Sequence, residues 1–359
     1  MITTLTLGGA ERVISNLANM FASLPDWDVY FIVKYPSKEE YPLHPKIKRV
    51  NLFNEVPCEN LLTVLFKQLW TIRKVCQENN IDILVNFMAA SNLKGILATL
   101  GMKTKCIVSV RDDPNVAYGK LHLKILAKLL FHLADGIVFQ THDEANWFGN
   151  KISNNSRIIP NPVSRKFYIP DDEYKKISER KNIVAVGRLE WQKNHKMLVE
   201  CFAKIKHKYP SEKLVIYGRG TKYDELKAMI KQYNLQDDVN LAGEVKNIQE
   251  YIKDAKMFVM TSNHEGIPNA MLEAMALGLP VICTDCPAGG PREYILDGVD
   301  GLLVKVGSVD SLEKSMEQLL NDEELRCNLG IAARRKAKSF SEDVVFNKWY
   351  DYIRERMKA

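Results

Sequence analysis

Short apolar runs alternate with amphipathic helical patterns along the whole chain, the rhythm of parallel sheets flanked by helices. In the first half, runs at Val29–Val33, Ile83–Asn86, Cys106–Val110 and Gly136–Gln140 predict strands. Helical periodicity falls between them at Asn60–Asn79, Leu93–Leu100 and Lys120–Ala134. The second half repeats the scheme, with strands predicted at Ile183–Val186, Leu214–Tyr217, Val239–Leu241, Met257–Met260 and Val281–Thr284. Its helices are expected at Lys196–Lys208, Tyr223–Tyr233, Ala270–Leu277 and Ser308–Leu320. Ile159–Pro160–Asn161–Pro162 and a charged, Pro-containing stretch to Lys181 separate the two series and read as hinge and linker. The pattern therefore predicts a doubly wound α/β domain over 1–162, a second over 163–340 and a closing helix over 341–359. That helix carries Phe346, Trp349, Tyr350 and Ile353 at helical spacing and needs a surface to cover them. The opening run, Ile2–Leu7, is only the tail of a strand, whereas a doubly wound domain opens with a complete one of about five or six residues. The first strand is then either very short or begins upstream of Met1, and the pattern favours the second.

A length of 359 residues suits two cores better than one. No apolar run approaches the ~18 to 20 residues of a spanning helix, and no signal-peptide pattern opens the chain. The seven cysteines are scattered and odd in number, which argues for a reducing, cytoplasmic setting over a disulfide framework. Cys283 and Cys286 form a lone C-x-x-C without a second Cys/His pair at zinc spacing, so neither metal nor redox work is expected of them.

Charge changes the picture once it is divided. Residues up to 170 hold 20 Lys+Arg against 14 Asp+Glu, and the remainder holds 30 of each, so the net +6 sits in the first half. A basic first half suits an anionic partner, such as lipid headgroups or a diphosphate-linked acceptor, or is a solvated surface that happens to be basic. Lys120, Lys124 and Lys128 recur beside Leu121, Leu123, Ile125, Leu126, Leu129, Leu130 and Phe131, and Leu61–Trp70 offers a second apolar candidate. Both are consistent with peripheral contact at the anionic inner face of the cytoplasmic membrane, and equally with packed helices that have a wet lysine edge. The basic charge is not gathered in an aromatic-interleaved stripe, so nucleic acid is not an expected partner.

The candidate chemistry lies on strand-to-helix loops. Gly8–Gly9–Ala10–Glu11–Arg12 opens an amphipathic helix, where a glycine turn lets the backbone and free N–H groups approach an anion. It is not G-x-G-x-x-G, so a nicotinamide cofactor is not indicated. Gly187–Arg188–Leu189–Glu190–Trp191–Gln192–Lys193 follows a strand and brings two cations five residues apart, a forked donor and a point charge for one diphosphate. Glu265–Gly266–Ile267–Pro268–Asn269–Ala270–Met271–Leu272–Glu273 places one carboxylate in a loop and another about a turn into an otherwise apolar helix. Carboxylates in such a setting accept hydrogen bonds from sugar and ribose hydroxyls. Gly218–Arg219–Gly220, Gly243–Glu244–Val245 and Ala288–Gly289–Gly290–Pro291–Arg292–Glu293 fall at corresponding strand ends, where open α/β sheets bind ligands.

Together the Gly187–Lys193 segment, the E-x7-E pair Glu265/Glu273 and the glycine-rich opening resemble family 4 of the retaining glycosyltransferases, across essentially the whole chain. The resemblance implies the GT-B fold: two Rossmann-like α/β domains facing a cleft, with the C-terminal helix crossing back to the first. It implies that Arg188 and Lys193 grip the diphosphate of a nucleotide sugar, that Glu265 contacts the transferred sugar and that Glu273 holds the ribose. Gly8 and Gly9 would close over the phosphates, and Gly187, Gly218, Val245, Gly266, Ile267 and Asn269 would complete the donor site. One departure stands out: Arg111 takes the approximate place of a histidine common in the family, so Arg111 and Ser109 are expected at the acceptor or sugar instead. The resemblance also implies retention without a metal, and Asp26–Trp27–Asp28 precedes a strand where a D-x-D metal motif would follow one. The Cys286–Glu293 loop is similar to that of bacterial surface-polysaccharide members, which leads us to expect a UDP-linked hexose or N-acetylhexosamine and a glycan or lipid-linked acceptor. The alternatives are a nucleotide-sugar epimerase and a GDP-mannose-dependent mannosyltransferase.

Overall fold

The structure, a computed structural model, describes residues 1–6, 8–55, 60–149, 152, 155–170 and 179–358. Leu7 of the opening run and residues 171–178 of the expected linker lie outside the described residues. The chain divides into two compact units, Met1–Asn161 with Asp343–Ala359, and Pro162–Glu342.

In the first unit β1 (Tyr30–Val33) pairs with β2 (Lys48–Asn51), and β3 (Ile83–Phe87), β4 (Lys105–Ser109), β5 (Gly136–Phe139) and β6 (Ser156–Ile158) follow in spatial order, all parallel. The short start of the chain joins these two sheets. Ile2 N–H donates to the Ile32 carbonyl at 3.1 Å and Lys34 N–H to that of Thr3 at 2.9 Å. On the other side the Met1 amino group donates to Val85 O at 2.5 Å, and Phe87 N–H to Met1 O at 3.0 Å. Met1–Thr3 thus occupies a central strand position between β1 and β3.

Crossovers into β3, β4 and β5 advance the same way across the sheet, so their right-handedness sets Leu61–Glu78, Ala89–Thr99 and Leu121–Leu130 on one face. The Gly9–Ala22 helix returns toward β1 and lies on the other face, where Val13, Ile14 and Phe21 share a core with Phe31, Ile107 and Val138. The closing helix, Glu342–Lys358, belongs to this unit and joins the same core. It buries Trp349, whose ring stacks 5.7 Å from that of Phe87, and Tyr352, whose hydroxyl accepts Ile137 N–H at 2.7 Å.

The second unit holds β7 (Lys181–Val186), β8 (Leu214–Tyr217), β9 (Val239–Gly243), β10 (Ala255–Met260), β11 (Val281–Thr284) and β12 (Leu302–Val304), parallel in the order β12-β11-β10-β7-β8-β9. Alternate residues of β7 enter opposite cores, Ile183 and Ala185 on one side and Val184 on the other. The chain runs outward from β7 to β9 and then returns to pair β10 with β7. That reversal is the switch point of the sheet.

β2, β6 and β12 were not foreseen by the apolar pattern. All three are edge strands, β2 reads Lys-Arg-Val-Asn and the others are three residues long, so little apolar signal marks them. The Glu323–Ala337 helix was also missed, because its buried positions include Arg326 and Gly330 as well as apolar residues.

Candidate functional site

The switch point lies between β7 and β10, and ligands of open α/β sheets bind beyond the carboxyl ends of strands at such a reversal. The loops leaving those two strands are bonded to each other. Asn263 N–H donates to Gln192 O at 2.7 Å, and its side-chain amide to Trp191 O at 2.7 Å. The Thr261 hydroxyl donates to Asn194 O at 2.9 Å, and the Gln192 amide to His264 O at 3.2 Å. Inside this seam Lys193 Nζ stands 2.5 Å from Glu265 Oε1, and the Ser262 hydroxyl donates to the same oxygen at 2.8 Å. The two charged side chains are only 14% and 8% exposed. Burying an ion pair costs desolvation that attraction need not repay, so its presence here is weak evidence for stability.

Arg188, on the same loop as Lys193, is exposed and donates through Nη2 to Gln192 Oε1 at 3.1 Å. Glu273 is buried within the Asn269–Ala276 helix, which begins after Pro268 with no side-chain cap on its first N–H groups. Gly266 and Ile267 are buried in the turn before it, and Asn269 is half-buried at its start. Two glycines bring neighbouring loops into backbone contact. Gly218 has φ +149°, and a Cβ there would fall 1.9 Å from the carbonyl oxygen of Gly187. A Cβ on Gly290 would fall 1.5 Å from that of Gly266. Val245, after β9, is half-buried against the same core as Ile267 and Met271.

His195 opens the helix after Lys193 and is buried; loss of solvent, reinforced by the Lys193 charge, pushes its pKa down to about 4. The imidazole is therefore neutral at physiological pH and adds no charge beside the lysine. Cys283 and Cys286 are buried thiols, and burial pushes Cys286 up to about 12, so neither supplies a thiolate.

The first unit places its candidates separately. Gly8 is the N-cap of the 14-residue helix Gly9–Ala22, in extended conformation, and Glu11 lies in the first turn. Ser109 is completely buried: its hydroxyl donates to Val138 O at 3.3 Å, and Asn92 bonds its backbone on both sides. Arg111 donates to Asn161 Oδ1 at 2.9 Å and lies over the rings of Phe87 and Trp349, at 4.1 and 5.5 Å. Those contacts make Arg111 a staple between the end of β4, the hinge and the closing helix.

The second-unit candidates thus lie on loops at the carboxyl ends of one sheet, with Lys193 paired to Glu265, Gly187 packed against the Lys193 side chain and Gly218 against the Gly187 carbonyl. Spacing along the sequence does not mark Ser262, Thr261, Asn263 or His195. The polar run Thr261–Ser262–Asn263–His264 directly after an apolar strand was the available signal for three of them.

Residues 7–167 match the family model described as Glycosyltransferase Family 4, and residues 170–336 match that described as Glycosyl transferases group 1. The chain is 30% identical to the N-acetylgalactosamine-N,N'-diacetylbacillosaminyl-diphospho-undecaprenol 4-alpha-N-acetylgalactosaminyltransferase of Campylobacter jejuni, over 95% of this chain and 94% of the relative. It is 27% identical, over 100% of itself and 98% of the relative, to the GalNAc-alpha-(1->4)-GalNAc-alpha-(1->3)-diNAcBac-PP-undecaprenol alpha-1,4-N-acetyl-D-galactosaminyltransferase of the same organism. In fold it is similar to Anabaena HepE, solved in complex with UDP, with a TM-score of 0.79 at 16% identity over 99% of this chain and 98% of that one. With two Rossmann-like units of parallel sheet, both halves matched and a relative at 30% identity covered almost completely, the chain belongs to the family 4 glycosyltransferases of the GT-B fold.

Proposed function

We propose that this glycosyltransferase moves a hexose or N-acetylhexosamine from a UDP-sugar to a glycan carried on a lipid diphosphate, retaining the anomeric configuration and needing no divalent metal. The observation that carries the reading is the buried Lys193–Glu265 pair at the switch point, with Arg188 on the same loop and Glu273 in the adjoining helix. In the transfer, the bond between the sugar C1 and the terminal phosphate oxygen breaks, and its electron pair leaves with the diphosphate. The acceptor hydroxyl oxygen bonds to C1 and gives up its proton, so the products are glycosylated acceptor, UDP and H⁺. An ammonium has three N–H donors, and Glu265 engages one on Lys193, leaving others for phosphate oxygens. Together with the Arg188 fork it stabilises charge that grows as the diphosphate departs, help worth about 3 kcal/mol per group in comparable sites. Glu265 accepts a hydrogen bond from a hydroxyl of the transferred sugar, and Glu273 from the ribose.

The lipid-linked acceptor is supported by the two Campylobacter relatives, whose names specify undecaprenol diphosphate glycans, and by the basic first half of the chain. In this reading the enzyme works as a peripheral protein at the cytoplasmic face of a membrane. No helix among the described residues is long and apolar enough to cross one. An epimerase would need no acceptor, and neither Campylobacter relative bears that name. Proton NMR of the product formed in excess EDTA tests both mechanistic claims. An α-linked product at undiminished rate from an α-linked UDP-sugar is expected; a β-linked product, or turnover restored only by manganese, would contradict the reading.

A further inference from the structure

Three helices on one face of the first unit leave an unusual amount of apolar side chain in water. Along Leu61–Glu78, Leu62, Phe66 and Trp70 are 78%, 71% and 56% exposed. Along Leu121–Leu130, Leu121, Ile125 and Leu129 are 73%, 53% and 64% exposed, and that helix buries only Ala127 and Leu130. Each trio runs i, i+4, i+8, a straight row within an arc of roughly 80°. Ala89–Thr99 packs between the two helices, and Leu100 at its end is exposed as well. Arg73 fastens the first pair, donating to the carbonyls of Ala98 and Leu100 at 3.1 and 3.0 Å. The two rows therefore belong to one surface.

Lysines edge both rows. By helical phase Lys67 and Lys74 border the first and Lys124 and Lys128 the second, and Lys120 caps the start of Leu121–Leu130. Across the three helices the basic residues are Lys67, Arg73, Lys74, Lys94, Lys124 and Lys128, and the one acidic residue is Glu78. Lys124 donates to Asn115 Oδ1 at 3.3 Å, and Lys128 and Lys74 lie over the rings of Trp147 and Trp70, surface contacts that long lysine stems can exchange for a headgroup layer.

We propose that this face docks on an anionic bilayer, with the two apolar rows entering the interface and the lysines on the headgroups. The proposal deepens the reading of a lipid-linked acceptor and rests on it for its purpose, though not for its geometry. Charge selects the occupant. A second copy meeting this face about a two-fold axis would set lysine edge against lysine edge, a like-charge juxtaposition that interfaces avoid.

The test is co-sedimentation of the full chain with phosphatidylglycerol-rich and with pure phosphatidylcholine vesicles, alongside donor turnover on a water-soluble glycan acceptor. The wild type should bind the anionic vesicles only. Lys120→Gln/Lys124→Gln/Lys128→Gln should weaken that binding roughly a hundredfold. Leu62→Ser/Phe66→Ser/Trp70→Ser should weaken it at least about tenfold, since its loss is apolar. Both variants should keep wild-type turnover on the soluble acceptor, so a failed transferase reading shows there and a failed docking reading in the vesicles. Absence of binding, equal binding by all three proteins, or self-association of the wild type abolished by the serine variant would overturn the proposal.

Discussion

Glu265 Oε1 receives two donors, the Lys193 ammonium and the Ser262 hydroxyl, in a place almost closed to water. That arrangement holds the lysine head in position, so in the proposed donor site little of the binding energy would go into ordering a long side chain. Next to it, His195 gives the site a pH dependence that can be worked out. Its folded pKa of about 4 lies below the unfolded value of 6.5. As pH falls through 6.5 the unfolded chain takes up a proton that the folded one refuses until near pH 4. Stability present above pH 6.5 is therefore lost over that window, by about 3 kcal/mol for a shift of this size. Urea unfolding at pH 7 and pH 4.5 should show the loss in the wild type and a much smaller one in His195→Asn; parallel losses would remove His195 from the account. Lys193, Glu265 and Glu273 were legible in the sequence because spacing and placement after apolar strands mark them. Ser262 and His195 were not, since their surroundings come from loops about 70 residues apart that only folding brings together.

At the scale of elements, the loops work because their backbones touch. A Cβ at Gly290 would sit 1.5 Å from the carbonyl oxygen of Gly266, inside the turn that carries Glu265. Gly290→Ala must push that turn aside, at an overpacking cost of roughly 1–3 kcal/mol. It should lower the melting temperature of the second unit and reduce donor turnover, and calorimetry with a donor assay would read both. Turnover at the wild-type level would mean that the Glu265 turn is not held by this contact. The apolar pattern located the central strands of both sheets and the helices that cover them, with ends displaced by a few residues. The edge strands β2, β6 and β12 escaped it, β2 because it carries lysine and arginine and the other two because they are only three residues long, whereas the longer edge strand β9 is marked by its apolar run. The same limit applies to Arg111. Its place after β4 was legible, but the sequence offers no sign that Phe87, Asn161 and Trp349, far apart along the chain, close around it.

In the whole molecule, the partition seen in the sequence has a structural counterpart. The chain divides at Asn161/Pro162 and again at Glu342/Asp343, and the closing helix buries its aromatic side in the first unit's core. Five of the six net positive charges reside in the unit that also exposes the two apolar rows, while the second unit, with a net +1, holds the carboxylate pair and Lys193. The proposed division of labour puts acceptor and membrane on one unit and nucleotide sugar on the other. Its central claim is that the β7–β10 switch point is the donor site. Nucleotide release from a panel of UDP- and GDP-sugars, with lipid-diphosphate glycan acceptors present, tests it most directly. We expect release from one UDP-sugar, lowered about a hundredfold or more by Lys193→Ala, with Glu273→Ala chiefly raising the donor KM. Release undiminished in both variants, or no nucleotide binding by the wild type to any donor, would contradict it.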